Sequence, residues 1–372
     1  MDPLLKDEIS SCYFMTHILE NMQDMVRVID KNGNVVFMNK IMREIFGDLV
    51  GKKCYEAINK TQKCLDCITK KSLESFKSYS KEEKLGPSIY SVVSSPVLNE
   101  KTNQVYSVEV FRDITEQKEM EGKIYEQYSK MKTDLNFAKQ LQNKIIPENA
   151  LYGGCMKVSA KYEPSEFLGG DIFDIIEIDE DHIGIYIADV SGHGVSASMF
   201  TMFLRQVMRN KKSNKIKVEE TIDDLVRNYK ELKIDTETYF TVLYGVYNKK
   251  TREITFVNAG HNCYPVIMRN NGNLEEIDIN GFPICSIIEN FKHKSITVKL
   301  EKGDKVFFYT DGIIEAHNEK TQFFGFERIY KLLKTKNHLS GEDIISNIFR
   351  EIKDFTSGHI KDDIAMVLVE II

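Results

Sequence analysis

Missing from the 372 residues is any run of about 18 apolar side chains, the length a helix needs to cross a bilayer. Nor does the opening segment, MDPLLKDEIS, place a positive region before an apolar one, so the expectation is a chain neither secreted nor membrane-spanning. Positive charge is not in excess: 50 Lys and Arg stand against 56 Asp and Glu, a net charge of −6, which provides no basic field for nucleic acid or anionic lipid. An even cysteine count is missing too. Seven cysteines scattered along a chain without a leader argue against a disulfide framework and for reduced thiols in the cytoplasm. What is present is ordinary. Apolar residues at 42% and charged residues at 28% lie near the soluble globular average, and the length suits two folded units of roughly 150 residues joined by a connector.

In MVRVIDKNGNVVFMNK two β-type runs flank Asn32-Gly33, a dipeptide suited to positive φ in a two-residue hairpin turn. Helical spacing at Ile41, Ile45 and Phe46 follows, and then the runs IYSVVSSPVL and VYSVEVFRDI around the turn-like NEKTNQ. Residues 1–114 are thus expected to form an α+β unit of sensor size. Residues 115–148 are expected to be a helical linker, because Thr115 to Ile146 holds no proline, one glycine and many Glu, Lys and Gln. Ile124, Tyr128, Met131, Leu135 and Ala138 step by four, three, four and three, a coiled-coil seam that predicts a homodimer. A single amphipathic helix lying on its own protein is the other reading. The next seam position is Gln142, whereas the apolar residue is Leu141, with Ile145 after it, so a register skip is expected before Pro147 stops the helix.

Over residues 149–372 the runs HIGIYIADV, FTVLYGVY, EITFVNAG, KVFFYTDG and DIAMVLVEI are strand-like, and SASMFTMFLRQVMRN and EDIISNIFREIKDF helical. Strands come as neighbours rather than alternating with helices, which predicts a sheet sandwich flanked by helices. Four aspartates punctuate it in one context. Asp171 follows Gly169-Gly170, Asp189 ends IGIYIA, Asp311 ends VFFYT before Gly312, and Asp362-Asp363 precedes IAMVLVEI. Any one of them alone reads best as a turn residue or helix cap. Together they are carboxylates at the ends of buried strands, costly unless they share a cation. All-oxygen ligation favours Mg²⁺ or Mn²⁺ over zinc, and two such ions activate a water against a phosphate ester.

GGDIFD, IADVSGHGVSASM, TYFTVLYGVYNKKTREITFVNAGHN, FYTDGIIEA with FGFERI, and DDIAMVLV resemble, in order, the motifs of the type-2C metal-dependent serine/threonine phosphatases of the bacterial sporulation and stress-response branch. The resemblance covers residues 136 to 372. It implies a β-sandwich flanked by helices, two Mn²⁺ or Mg²⁺ ions, and as substrate a phosphorylated anti-sigma-factor antagonist. By position it also implies that Asp189 bridges both ions with the Val190 carbonyl as a neighbouring ligand, that Asp171 serves one ion, and that Asp311 and Asp362, rather than Asp363, serve the other. Asp174 becomes an outer or accessory-metal candidate. His193 is a candidate general acid, although a plain turn histidine is the other reading, and His261 is expected to be structural. Ala365 and Cys285 depart from the usual threonine and glycine, and no arginine placed to clamp phosphate precedes GGD.

VRVIDKNGNVVFMNK and VFRDITEQ resemble a PAS domain over residues 14 to 116. Within it Cys54, Cys64 and Cys67 form Cys-x9-Cys-x2-Cys. A Cys-x-x-Cys pair has the bite for zinc, an iron–sulfur cluster or a reversible disulfide. A full structural metal site needs a fourth ligand, for which Cys12 and His17 are the candidates, and buried inert thiols are the remaining reading. The function expected is therefore a sensor-regulated protein phosphatase. Its alternatives are a non-catalytic PAS dimerisation scaffold and a hydrolase of small phosphate esters.

Overall fold

In the computed structural model, residues 13–58, 60–210, 215–233, 238–286 and 292–372 are described, so Cys12 lies outside them. The chain divides between Lys130 and Met131 into two units. In the first, β1 (Met25–Ile29), β2 (Val35–Met38), β3 (Tyr79–Leu85), β4 (Ser88–Asn99) and β5 (Gln104–Asp113) form an antiparallel sheet in the order β2-β1-β5-β4-β3. The first hairpin has a longer turn than the two residues expected, Asp30–Asn34. The Asp30 carboxylate sets it by accepting the backbone N–H groups of Asn32 and Asn34 at 2.9 and 2.8 Å, with Gly33 at φ 81°. Asn39 then caps α1 (Lys40–Phe46), accepting from Met42 N–H. Met42 of α1, Ile68 of α2 (Ile68–Ser75) and Met25, Met38, Val92 and Phe111 of the sheet make one apolar core.

The linker helix α3 runs Thr115–Ile145. Ile124, Tyr128 and Met131 are exposed on it, while Leu135, Ala138 and Ile145 are half-buried. The expected register skip does not occur in the packing. Gln142 is buried and Leu141 is 49% exposed, so the covered face continues by steps of three, four and three through Leu135, Ala138, Gln142 and Ile145. A polar residue occupies the seam because its amide has a backbone partner there, Gly169.

The second unit holds β6 (Leu151–Tyr152), β7 (Met156–Glu163), β8 (Asp171–Glu177), β9 (His182–Val190), β10 (Phe240–Asn248), β11 (Glu253–Ala259), β12 (Val266–Met268), β13 (Leu274–Glu276), β14 (Ser295–Lys299), β15 (Lys305–Tyr309) and β16 (Ile364–Ile371). They form two sheets, β14-β11-β10-β9-β8 and β13-β12-β15-β16-β7-β6, every pairing antiparallel. Phe173, Ile187, Leu243 and Phe256 of the first sheet meet Phe308, Val367 and Val369 of the second. On the outer faces α4 (Gly194–Met208) and α5 (Val218–Glu231) cover the first sheet, and α7 (Phe326–Lys336) and α8 (Gly341–Phe355) the second, with the single turn α6 (Asp311–Ile314) between. This is the α/β sandwich the sequence predicts. Strands such as β9 and β16 are apolar on both faces because each has a sheet on one side and helices on the other.

Candidate active site

Strand pairing brings the first two aspartates together. Asp171, the first residue of β8, lies directly opposite Asp189 near the end of β9, and Thr241 of β10 flanks Asp189 on the other side. The second sheet delivers the other two. Asp311 opens α6 just past β15, and Asp362 stands just ahead of β16, the partner of β15. All four meet at one end of the sandwich. Asp189, Val190, His193, Asp311, Glu315 and Asp362 line a cavity of about 500 Å³, and Asp171 is buried beside it with its Oδ2 accepting from Thr310 Oγ1 at 2.7 Å.

Backbones must approach closely for this to happen. A Cβ on Gly170 would sit 2.8 Å from the Val190 carbonyl oxygen, and one on Gly312 would sit 2.0 Å from that of Asp363. Only glycine fits at either place.

The electrostatics are those of carboxylates buried close to one another. Burial, and then Asp311, Asp362, Asp363 and Glu315, push the Asp189 carboxyl up to about 7. Burial, Asp189 and Asp363 hold Asp171 well above the usual carboxylate range, against a lowering by Thr310. Asp311, Asp362 and Glu315 are raised as well, burial being the largest cause for each. An all-carboxylate donor set that favours protonation when alone fits a hard divalent cation.

Asp363 has a different job from its neighbour. Its buried carboxylate accepts Ser165 N–H at 2.7 Å, Ser165 Oγ–H at 2.9 Å and Gly170 N–H at 2.5 Å, fixing the loop that leads into Asp171. Asp363→Ala leaves the buried Gly170 N–H and the half-buried Ser165 donors without that partner, a cost of about 3 kcal/mol. Thermal denaturation should show it as a fall of roughly 6–12 °C.

The remaining candidates separate. Asp174 projects from the opposite face of β8 to Asp171, toward the helical layer, where Arg209 holds it at 2.5 and 2.7 Å and Arg205 at 3.4 Å. It is a buried ion pair outside the cluster. His193 precedes α4 and is 69% exposed, its Nδ1 3.1 Å from Glu166 Oε1. His261 is buried between Thr241 Oγ1 and the Tyr309 carbonyl, and burial pushes it down to about 4, which suits a neutral structural ring. Thr310 and Glu315 were not singled out by the motifs, and Gln142 and Asp363, weighed only as a seam position and a rejected ligand, turn out to bond the loop before Asp171.

Among the described residues no group of three or more His, Cys, Asp or Glu side chains is already gathered at ligating distance. For the cysteines, the expectation of a metal site is not supported. Cys67 Sγ accepts Lys70 N–H, Cys54 packs against the apolar core, and His17 bonds to Asn21. Nor is any helix among the described residues long and apolar enough to cross a membrane.

Two sheets packed face to face, helices outside and carboxylates at one end are the plan of the type-2C phosphatase domains. The chain belongs to the stage II sporulation protein E (SpoIIE) family, whose profile matches residues 179–372, and residues 19–119 match the PAS fold. It is 21% identical over 239 residues to the phosphoserine phosphatase RsbU of Bacillus subtilis, covering 64% of this chain and 70% of RsbU. It is 24% identical over 265 residues to protein IcfG of Synechocystis sp., covering 63% of this chain and 41% of IcfG, so it spans less than half the length of that relative. The SiaA-PP2C domain of Pseudomonas aeruginosa shares the fold, with a TM-score of 0.57 at 17% identity over 66% of this chain and 98% of that domain.

Proposed function

We propose that the chain is a sensor-regulated, metal-dependent protein serine/threonine phosphatase acting in the cytoplasm, with residues 1–114 as sensor, 115–148 as linker and 149–372 as catalytic domain. The observation that carries this reading is the convergence of Asp171, Asp189, Asp311 and Asp362 from strand ends of both sheets onto one cavity. Asp171, Asp189, Asp311, Asp362 and the Val190 carbonyl would hold two Mn²⁺ or Mg²⁺ ions, with Asp189 serving both, Asp171 one, and Asp311 and Asp362 the other. The chemistry such a pair would supply there is a nucleophilic water and neutralisation of the charge on the phosphoryl oxygens. His193, exposed at the cavity rim and tied to Glu166, protonates the departing serine or threonine oxygen. Thr310 and Asp363 hold Asp171 and its loop in place from behind.

The test is phosphate release from a phosphoserine peptide and from an aryl phosphate, each with Mn²⁺, with Mg²⁺ and with chelator. Metal-dependent release from the peptide is expected. Turnover of the aryl ester alone would favour a small-ester hydrolase, and no turnover of either would favour a scaffold. Asp362→Asn should lower that rate while leaving the melting temperature near wild type, whereas Asp363→Ala, which also frees the loop before Asp171, should lower both.

The physiological substrate in this reading is a phosphorylated anti-sigma-factor antagonist, in keeping with the family and with a sensor domain ahead of the enzyme. The exposed Ile124, Tyr128 and Met131 on α3 support a homodimer paired along that helix. Sedimentation of the full chain at micromolar concentration should give twice the monomer mass, and a monomer would remove this part of the reading.

A further inference from the structure

The sensor unit contains a second chemical cluster that the phosphatase reading does not use. Cys54, Cys64 and Cys67 all line one cavity of about 870 Å³ in that unit, and none of the six described cysteines is in a disulfide. Their surroundings differ. Cys67 stands at the N-cap of α2, its Sγ accepting the Lys70 backbone N–H at 3.4 Å. Cys64 has the Lys60 ammonium 3.9 Å from its Sγ, and Lys60 and Lys81 both reach Glu83 at 2.5 Å. A backbone N–H at a helix start and a nearby ammonium group each stabilise the negative charge that develops on a reacting sulfur. Cys54 packs against the apolar core, where burial pushes its thiol up and leaves it protonated. Cys64 and Cys67 are themselves partly exposed, and Leu65 between them is fully exposed, so small oxidants reach the pair.

We propose that Cys64 and Cys67 are a redox-active dithiol that a hydroperoxide closes to a disulfide, Cys67 attacking first and Cys64 resolving. In the first step the Cys67 sulfur attacks the terminal peroxide oxygen. The S–O bond forms, the O–O bond breaks, and the alkoxide leaves and takes a proton as an alcohol, or as water from hydrogen peroxide. Sulfur is oxidised by two electrons to the sulfenic acid and the peroxide is reduced. In the second step the Cys64 sulfur gives up its proton and attacks that sulfur, the S–S bond forms, the S–O bond breaks, and the hydroxide leaves with a proton as water. Closing the S–S bond ties the N-cap residue of α2, a helix that packs on β3, β4 and β5, to Cys64 in the loop before it. The inference is independent of the phosphatase assignment.

The full-length reduced protein is pulsed with hydrogen peroxide, alkylated, and digested after Lys and Arg, which leaves Cys64 and Cys67 together in the peptide Cys64–Lys70. That peptide should become two hydrogens lighter and resistant to alkylation before Cys155, Cys263 or Cys285 reacts, and dithiothreitol should reverse the change. Cys67→Ser preserves the cap, since serine is a good N-cap residue, and should slow oxidation of Cys64 by roughly tenfold or more. Cys64→Ser should trap sulfenic acid on Cys67, read as a dimedone adduct. An adduct on Cys64 of the Cys67→Ser protein formed at the wild-type rate, a disulfide from Cys54, oxidation no faster than that of Cys155, or zinc or iron bound stoichiometrically by these cysteines in protein purified without oxygen would each overturn the proposal.

Discussion

Asp189→Asn is expected to lower metal-dependent hydrolysis of a phosphoserine peptide by roughly three orders of magnitude or more, the rate equivalent of about 4 kcal/mol. Asp189 is the one carboxylate with both other sets beside it: Asp171 lies across the β8–β9 pair, and Asp311 and Asp362 raise it through charge. As the proposed bridge it serves both ions, so its loss is not made good by either flank. The fold has no reason to suffer. The ionised form of this side chain is opposed by burial and by four neighbouring carboxylates, and a neutral isostere relieves that repulsion. In chelator the variant should therefore melt no lower than wild type, while the stabilisation that Mn²⁺ gives the wild type, which follows from mass action on the folded state, should largely vanish. Wild-type turnover in the variant would remove Asp189 from the metal site. A variant that is inactive because it is unfolded in chelator would show instead that the carboxylate is structural.

In the second unit β9, β10, β11, β15 and β16 were legible because each is a short apolar run, and they lie where those runs lie, whereas β6, β7, β8, β12, β13 and β14, shorter or more polar, were not singled out. The four aspartates were legible for a related reason: charge at the end of a buried strand is an anomaly that sequence alone displays. What supports them was not. Thr310 is 139 residues from Asp171, and Asp363 is 193 from Gly170, so their roles exist only after both sheets are assembled. Asp174 was misjudged for a simpler cause. Three residues from Asp171 along a strand, it must face the other way, and the alternation of side chains already says so. The first hairpin shows the opposite limit, because Asn32-Gly33 marks the turn correctly but the Asp30 side chain, two residues earlier, decides its length.

The seam at Gln142 misled for the same reason as Thr310 and Asp363, and it carries the second large expectation. Gln142 Nε2 donates to the Gly169 carbonyl at 2.7 Å, and Gly169 N–H donates to Gln142 Oε1 at 3.1 Å, so one side chain of α3 holds both backbone groups of that glycine. Gly170, next in the chain, gives its N–H to Asp363 and its carbonyl to Val190 N–H at 3.1 Å, and Asp171 follows directly. The position of α3 is thus fixed to the backbone that presents Asp171. Gln142→Leu keeps the size and the burial of the side chain but leaves the Gly169 N–H and C=O unpaired, at about 1–3 kcal/mol each, and frees the loop to shift. A displacement of about 1 Å at a catalytic group costs on the order of 100-fold, and a fall of that size in metal-dependent turnover is expected, together with a higher metal requirement. Leu141→Gln, at an exposed position, should stay within about 0.5 kcal/mol of wild-type stability and near wild-type activity. Exchanging the two residues should then behave as Gln142→Leu alone, rather than as a restored apolar seam. Gln142→Glu accepts from Gly169 N–H but cannot donate to its carbonyl while ionised, so it should fall between wild type and Gln142→Leu. Metal-titrated phosphopeptide hydrolysis across these four variants decides the matter: if Gln142→Leu matches wild type in both rate and metal requirement, the helix does not act on the site through Gly169.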